Sequence, residues 1–144
     1  MDADDVARLR SVINKLSRRF NVAATDEELT PAQASALALV ASRGPLSLAQ
    51  LTSMEGLNPT MVSRIVGRLV DSGLVHRIQN PDDLRAGVVE ITADGEATNE
   101  RIKEARGAVV SDYLDRLSPE DRSSILHVLP ALEALANEVG TAGP

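Results

Sequence analysis

Between Ser47 and Gly73 the chain spells out two helices with almost no room between them. In "SLAQLTSMEGL" the Ser47 hydroxyl can accept a bond from a free backbone N–H of the first turn. Gln50, three residues on, can return it, which makes a capping box. Gly56 stops this helix, which is predicted over about 47–54. In "NPTMVSRIVGRLVDSG" Asn58 is the next cap, and Pro59 suits the first helical position, where no N–H is needed. Val62, Ile65, Val66, Leu69 and Val70 recur at helical spacing and predict one buried stripe, and Leu57 can close over Val62 as a hydrophobic staple. Gly73 supplies the left-handed residue after the last turn. Two helices of roughly 8 and 14 residues, joined by a turn of about four residues holding Gly56, fit a helix-turn-helix.

The neighbouring segments extend the pattern. "LVHRIQ" and "GVVEIT" read as two short strands around a turn cluster, "NPDDLRA". A helix-turn-helix followed by such a hairpin is a winged helix. Before it, Thr30, Pro31 and Gln33 start a helix that should run to about Ser42 and stop before Gly44-Pro45. At the N-terminus, Val6, Leu9, Ile13, Leu16 and Phe20 step by threes and fours over residues 4–22. That stripe serves equally well to dock on the chain's own core or on a second subunit. Thr92 caps a long helix over 93–117, with Ile102, Ala105, Val109, Val110, Tyr113, Leu114 and Leu117 as its apolar positions. Ser118 with Asp121 starts a last helix over 119–138, where Pro130 predicts a kink or break, and the tail "GTAGP" is expected to be disordered. The fold class is mainly α with a small β wing.

Composition narrows the function. The apolar share of 43% supports a core, but Phe20 and Tyr113 are the only aromatic residues. Binders of single-stranded nucleic acid stack bases on aromatic rings, so that class is disfavoured. There is no cysteine, which excludes disulfides, thiolate metal sites and thiol redox switches. Nothing resembles a signal peptide or a membrane-spanning run, so a cytoplasmic protein without a membrane partner is expected. The net charge of −6 argues against nucleic acid until its distribution is seen. Residues 92–144 hold ten acids against five Lys/Arg, whereas residues 43–91 hold five of each. DNA affinity would therefore depend on where the central arginines point.

They fall on the outer face of the second helix of the pair. In helix-turn-helix proteins that helix enters the major groove, with its N-terminal residues nearest the bases. Here the outer face carries Thr60, Ser63, Arg64, Gly67, Arg68 and Asp71. Thr60 and Ser63 are small enough for close approach, and Arg64 can grip guanine O6 and N7 together. Pro59 opens the helix, whose N-terminus favours a nearby phosphate. A plain alternative is that these are solvated side chains and that the arginines pair with nearby acids.

The stretches "LTPAQASALALVASRGPLSLAQLT" and "NPTMVSRIVGRLVDSGLVHRIQNPDDLRAGVVEITADGE" together resemble the MarR family of transcriptional regulators. The match is carried by Leu29, Thr30, Gln33, Gly44, Pro45, Leu46, Ser47, Leu51, Val62, Ser63, Arg64, Leu69, Gly73, Leu74, Val75, Arg77, Asp83, Arg85, Thr92 and Gly95. The resemblance implies one domain over 1–144, with a DNA-binding lobe at 30–92 and a helical dimerisation region at 1–24 and 93–139. It implies a homodimer on an inverted repeat of double-stranded DNA, usually as a repressor, and often released by a small aromatic or phenolic effector. Pro59, Thr60, Ser63, Arg64, Arg68, Arg77 and Arg85 would be the DNA-binding residues, with Arg85 on the wing and Asp83 bracing the wing arginines. The family's usual Asp-Arg-Arg is Asp83-Leu84-Arg85 here, so weaker readout by the wing is expected.

An effector pocket would lie where the lobe meets the dimer helices, and Leu16, Phe20, Leu37 and Val40 are its candidate lining; an ordinary core role is the alternative. No cofactor or metal is expected. His76 and His127 have no partners at metal-ligand spacing, "GPLS" lacks the lysine of a phosphate loop, and "PDD" reads as a solvated turn, so an enzyme is not expected. The competing class is a winged-helix module that binds protein rather than DNA.

Overall fold

The computed structural model describes residues 1–23, 29–80 and 83–141. In order the elements are α1 (Ala3–Ala23), α2 (Pro31–Arg43), β1 (Leu46–Ser47), α3 (Leu48–Glu55), α4 (Pro59–Asp71), β2 (Val75–Asn80), β3 (Asp83–Ile91), α5 (Ala93–Asp115) and α6 (Pro119–Thr141). The helix starts form as their side chains dictate. Thr30 and Ser47 each accept from the backbone three residues on, and Gln33 and Gln50 return the bond. Asn58 accepts from Met61 N at 2.8 Å, and Thr92 from Gly95 N at 3.0 Å. Each such cap contributes about 1 kcal/mol. Gly44, Gly56 and Gly73 are the described residues with positive φ, and each lies just past a helix.

α2, α3, α4 and the sheet enclose one core. Leu37, Val40, Leu51, Val62, Val66, Leu69, Val75 and Val89 are almost fully shielded from water. Burying each is worth about 1.5–3 kcal/mol. Without aromatic rings, the lobe is filled with branched aliphatic side chains instead. The sheet order is β1-β3-β2, antiparallel throughout.

α5 is joined to the lobe at a tight corner. Thr92 N donates to Leu74 O at 3.0 Å, and the Thr92 hydroxyl donates to Gly73 O at 2.7 Å. Gly95, in the first turn of α5, is buried against the same place: a Cβ there would lie 2.0 Å from Leu74 O. Only a glycine lets the helix pass so close to that carbonyl.

The long helices outside the lobe are different. The α1 stripe is not covered by the chain's own core: Val6 is 52% exposed, and Ile13 and Leu16 are nearly as open. On α6 Leu126 is 67% exposed, and Ile125, Leu129, Leu132, Leu135 and Val139 are exposed too. Of the predicted apolar positions of α5, only Ile102 is buried. α6 makes no extensive contact with any other element among the described residues.

Several expectations are corrected. β1 is not predicted by the sequence pattern; it exists because Leu46 and Ser47 pair with Val89 and Val88. The hairpin is longer than predicted: β3 begins at Asp83, inside the segment that reads as a turn, and a register irregularity at Gln79/Asn80 brings Asn80 opposite Asp83. α5 ends at Asp115, short of 117. α6 runs without a break past Pro130 to Thr141, so Gly140 and Thr141 of the tail are helical. Proline removes one backbone bond there, but the residues around it are exposed, so water can serve the freed carbonyl. Residues 142–144 lie outside the described residues.

Candidate nucleic-acid interface

The spacing of apolar residues in α4 decides which side chains face outward. Val62, Ile65, Val66 and Leu69 are buried, and Leu57 packs on the same core just before the cap. That fixes the rotation of the helix. Pro59, Thr60, Ser63, Arg64, Arg68 and Asp71 are then exposed. Thr60, Ser63 and Arg64 sit together on the first turn and a half, at the positive end of the helix dipole. Among the described residues Arg64, Arg68 and Asp71 hold no ion pair, so Asp71 occupies neither α4 arginine, while the side chains of the wing acids lie outside the described residues.

Arg68 stands apart from this group. It lies about 12 Å further along the axis than Thr60. It lines a cleft of about 450 Å³ with Leu29, Gln33, Asp71, Ser72, Leu74 and Thr98. Arg77 is exposed on β2 opposite buried Val89. It lines a second cleft, of about 400 Å³, with Ser47, Leu48 and Ala49 at the start of α3. Arg77 thus borders the same cleft as a second helix N-terminus, where an anion is favoured. The backbone of Asp83, Leu84 and Arg85 is in β3; their side chains lie outside the described residues.

Met61 is a surface residue that the sequence reading passes over. It is 46% exposed in the first turn of α4, on the flank of the buried stripe. The signal is available in the sequence: Met61 falls at the edge of the arc set by Val62, Ile65 and Leu69. His76 faces Glu90 across the hairpin, with Nε2 3.0 Å from Oε1. No group of three metal-ligating side chains occurs among the described residues. No described helix is long and apolar enough to cross a membrane.

The four residues named for an effector pocket are not brought together in a described cleft. Leu37 and Val40 are interior to the lobe, while Leu16 and Phe20 lie on α1, where Phe20 leans on Tyr113 with ring centroids 6.4 Å apart.

Helix pair, three-stranded sheet and buried stripe together define a winged helix-turn-helix lobe, carried between long flanking helices. Residues 29–86 match the model of the MarR family. Among its relatives is the HTH-type transcriptional repressor MdtR of Bacillus subtilis, 24% identical over 89% of this chain and 83% of its own. The HTH-type transcriptional repressor NicR of Pseudomonas putida is 27% identical over 84% of this chain and 77% of its own. The fold is shared with RV1404 from Mycobacterium tuberculosis at a TM-score of 0.81, 23% identity and coverage of 95% and 96%. It is shared also with the apo form of wild-type MarR from E. coli at a TM-score of 0.76, 23% identity and coverage of 88% and 95%.

Proposed function

We propose that the chain is a sequence-specific regulator of transcription that binds double-stranded DNA as a homodimer, and that it acts as a repressor. The observation that carries this reading is the outer face of α4: two small hydroxyl residues and an exposed arginine on the first turns of a helix whose rotation is fixed by its buried side. Thr60 and Ser63 approach base edges and phosphates, and Arg64 reads a guanine. Met61 offers an apolar contact for a thymine methyl. Arg77 and the start of α3 hold one phosphate, Arg68 a flanking phosphate, and Arg85, braced by Asp83, follows the minor groove from the wing. MdtR and NicR are named as repressors, which supports the direction of control.

The exposed stripes of α1 and α6 support the dimer. Two helices of 21 and 23 residues do not leave rows of Leu, Ile and Val in water without a partner surface. A second copy offers the same stripes, and closed two-fold pairing is the commonest way to cover them. Two lobes related by that symmetry would read an inverted repeat. Footprinting on genomic fragments selected by the protein tests this. Two protected blocks, about one helical turn apart and inverted in sequence, are expected. One block alone, or protection without a shared inverted sequence, would refute the dimeric reading.

A further inference from the structure

Gly67 lies in the interior of α4, where glycine weakens a helix more than any residue but proline. Other glycines of the lobe have a use inside the chain. Gly44, Gly56 and Gly73 take positive φ just past helix ends, and Gly95 lets α5 pass close to the Leu74 carbonyl. Gly67 has neither use. Its φ is not positive, and a Cβ added to it would meet nothing within 4 Å. No contact within the chain requires the side chain to be missing. Gly107, the other helical glycine with such open space, is on α5, outside the lobe.

The position of Gly67 on the helix supplies a reason. It follows Thr60 by seven residues, which is two turns and about 10 Å along the axis. Val62, Ile65, Val66 and Leu69 are buried on the opposite side, so Gly67 falls in the middle of the outer face. Ser63, Arg64 and Asp71 are its neighbours there, all exposed, and their side chains leave the space over Gly67 clear. The outer face thus has a hollow two turns from its start, bordered by arginines at 64 and 68.

We infer that Gly67 is the point where α4 comes closest to DNA, and that its missing side chain lets the helix lie lengthwise in the major groove. The inference rests on the DNA-binding reading and adds a docking geometry to it. A helix that entered the groove by its N-terminal end alone would stand clear of the bases by its second turn, and a side chain at 67 would then be harmless. Lying lengthwise, α4 covers about three base-pair steps between Thr60 and Gly67, at about 3.4 Å each. Close seating also brings Arg64 to a base edge while Arg68, next along the chain, reaches a phosphate. Asp71, one turn further on, would repel phosphates, so close contact ends between Gly67 and Asp71.

A volume series at this one position tests the inference. Gly67→Ala and Gly67→Leu are each taken through urea unfolding and through fluorescence-polarisation binding to the duplex that the wild type selects from genomic fragments. Both new residues are strong helix formers with free space around them, so both variants should be at least as stable as the wild type. Their Kd for the selected duplex should nevertheless rise, about tenfold for alanine and about a hundredfold or more for leucine. Binding to an unrelated duplex at low salt should change less than about threefold, because that hold is electrostatic and needs no deep seating. A purely structural role would move stability and affinity in the same direction. Wild-type Kd in both variants would overturn the inference and leave the DNA-binding reading standing, and so would a loss of affinity that merely follows a loss of stability. A wild-type chain that selects no duplex would refute the DNA-binding reading itself, and this inference with it.

Discussion

Gly95→Ala is the substitution that best tests how the lobe is joined to α5. The added Cβ would lie 2.0 Å from Leu74 O, 2.7 Å from Ile91 Cγ1 and 3.0 Å from Leu74 C. Carbon atoms rest comfortably at about 3.5 Å or more, so the first turn of α5 must retreat by over an ångström or the Leu74 carbonyl must turn away. That carbonyl accepts from Thr92 N, and either movement strains the bond. Overpacking costs about 1–3 kcal/mol, and an unsatisfied buried acceptor about as much again. Alanine recovers about 0.5–1 kcal/mol of helix propensity. The net loss should be about 2–4 kcal/mol. Gly67→Ala is the control: it too is helical, but nothing lies within 4 Å of its Cβ, so a gain of about 0.5–1 kcal/mol is expected. Urea unfolding followed by circular dichroism, at one fixed protein concentration, measures both. A Gly95→Ala protein as stable as Gly67→Ala would refute the close approach at this corner.

Arg64→Ala should cost about 1–3 kcal/mol of DNA affinity and relax the preference at one base pair of each half-site, read by fluorescence polarisation on singly substituted duplexes. Arg85→Ala should weaken all sites alike and lower the salt slope by about one, with major-groove preference unchanged; an unaltered slope would remove the wing contact. Leu132→Asp puts a charge in the exposed stripe of α6, and sedimentation should then give the monomer mass, while the wild type at the same concentration should give the dimer mass.

The lobe is legible in the sequence because its signals are local. Thr30, Ser47, Asn58 and Thr92 each cap a helix through a side chain acting three residues on, and no tertiary context is needed to see it. The periodic stripe of α4 likewise reveals the exposed face, and with it Thr60, Ser63 and Arg64. The features that escape the sequence depend on contacts remote along the chain. β1 is two residues long and has no period of its own; it is a strand because β3 lies beside it. Asp83 belongs to a segment of turn-like composition, and its pairing with Asn80 of β2 draws it into the sheet all the same. Pro130 in the sequence shows only its local cost, without the exposure that lowers it. The α1 stripe fits two destinations equally in sequence, and its exposure in the fold favours a second subunit. Leu37 and Val40 have the character of pocket lining but serve the core.

Reading of a specific operator by the outer face of α4 is the central claim. The most direct measurement is fluorescence-polarisation binding of unfolded and refolded, ligand-stripped protein to duplex tiles of its own upstream region, with competitor DNA, across a salt series. The account predicts tight binding to a tile that holds an inverted repeat, falling steeply as salt rises, with Arg64→Ala losing the preference for that tile over the others. Equal binding to every tile, or wild-type preference retained by Arg64→Ala, would contradict it.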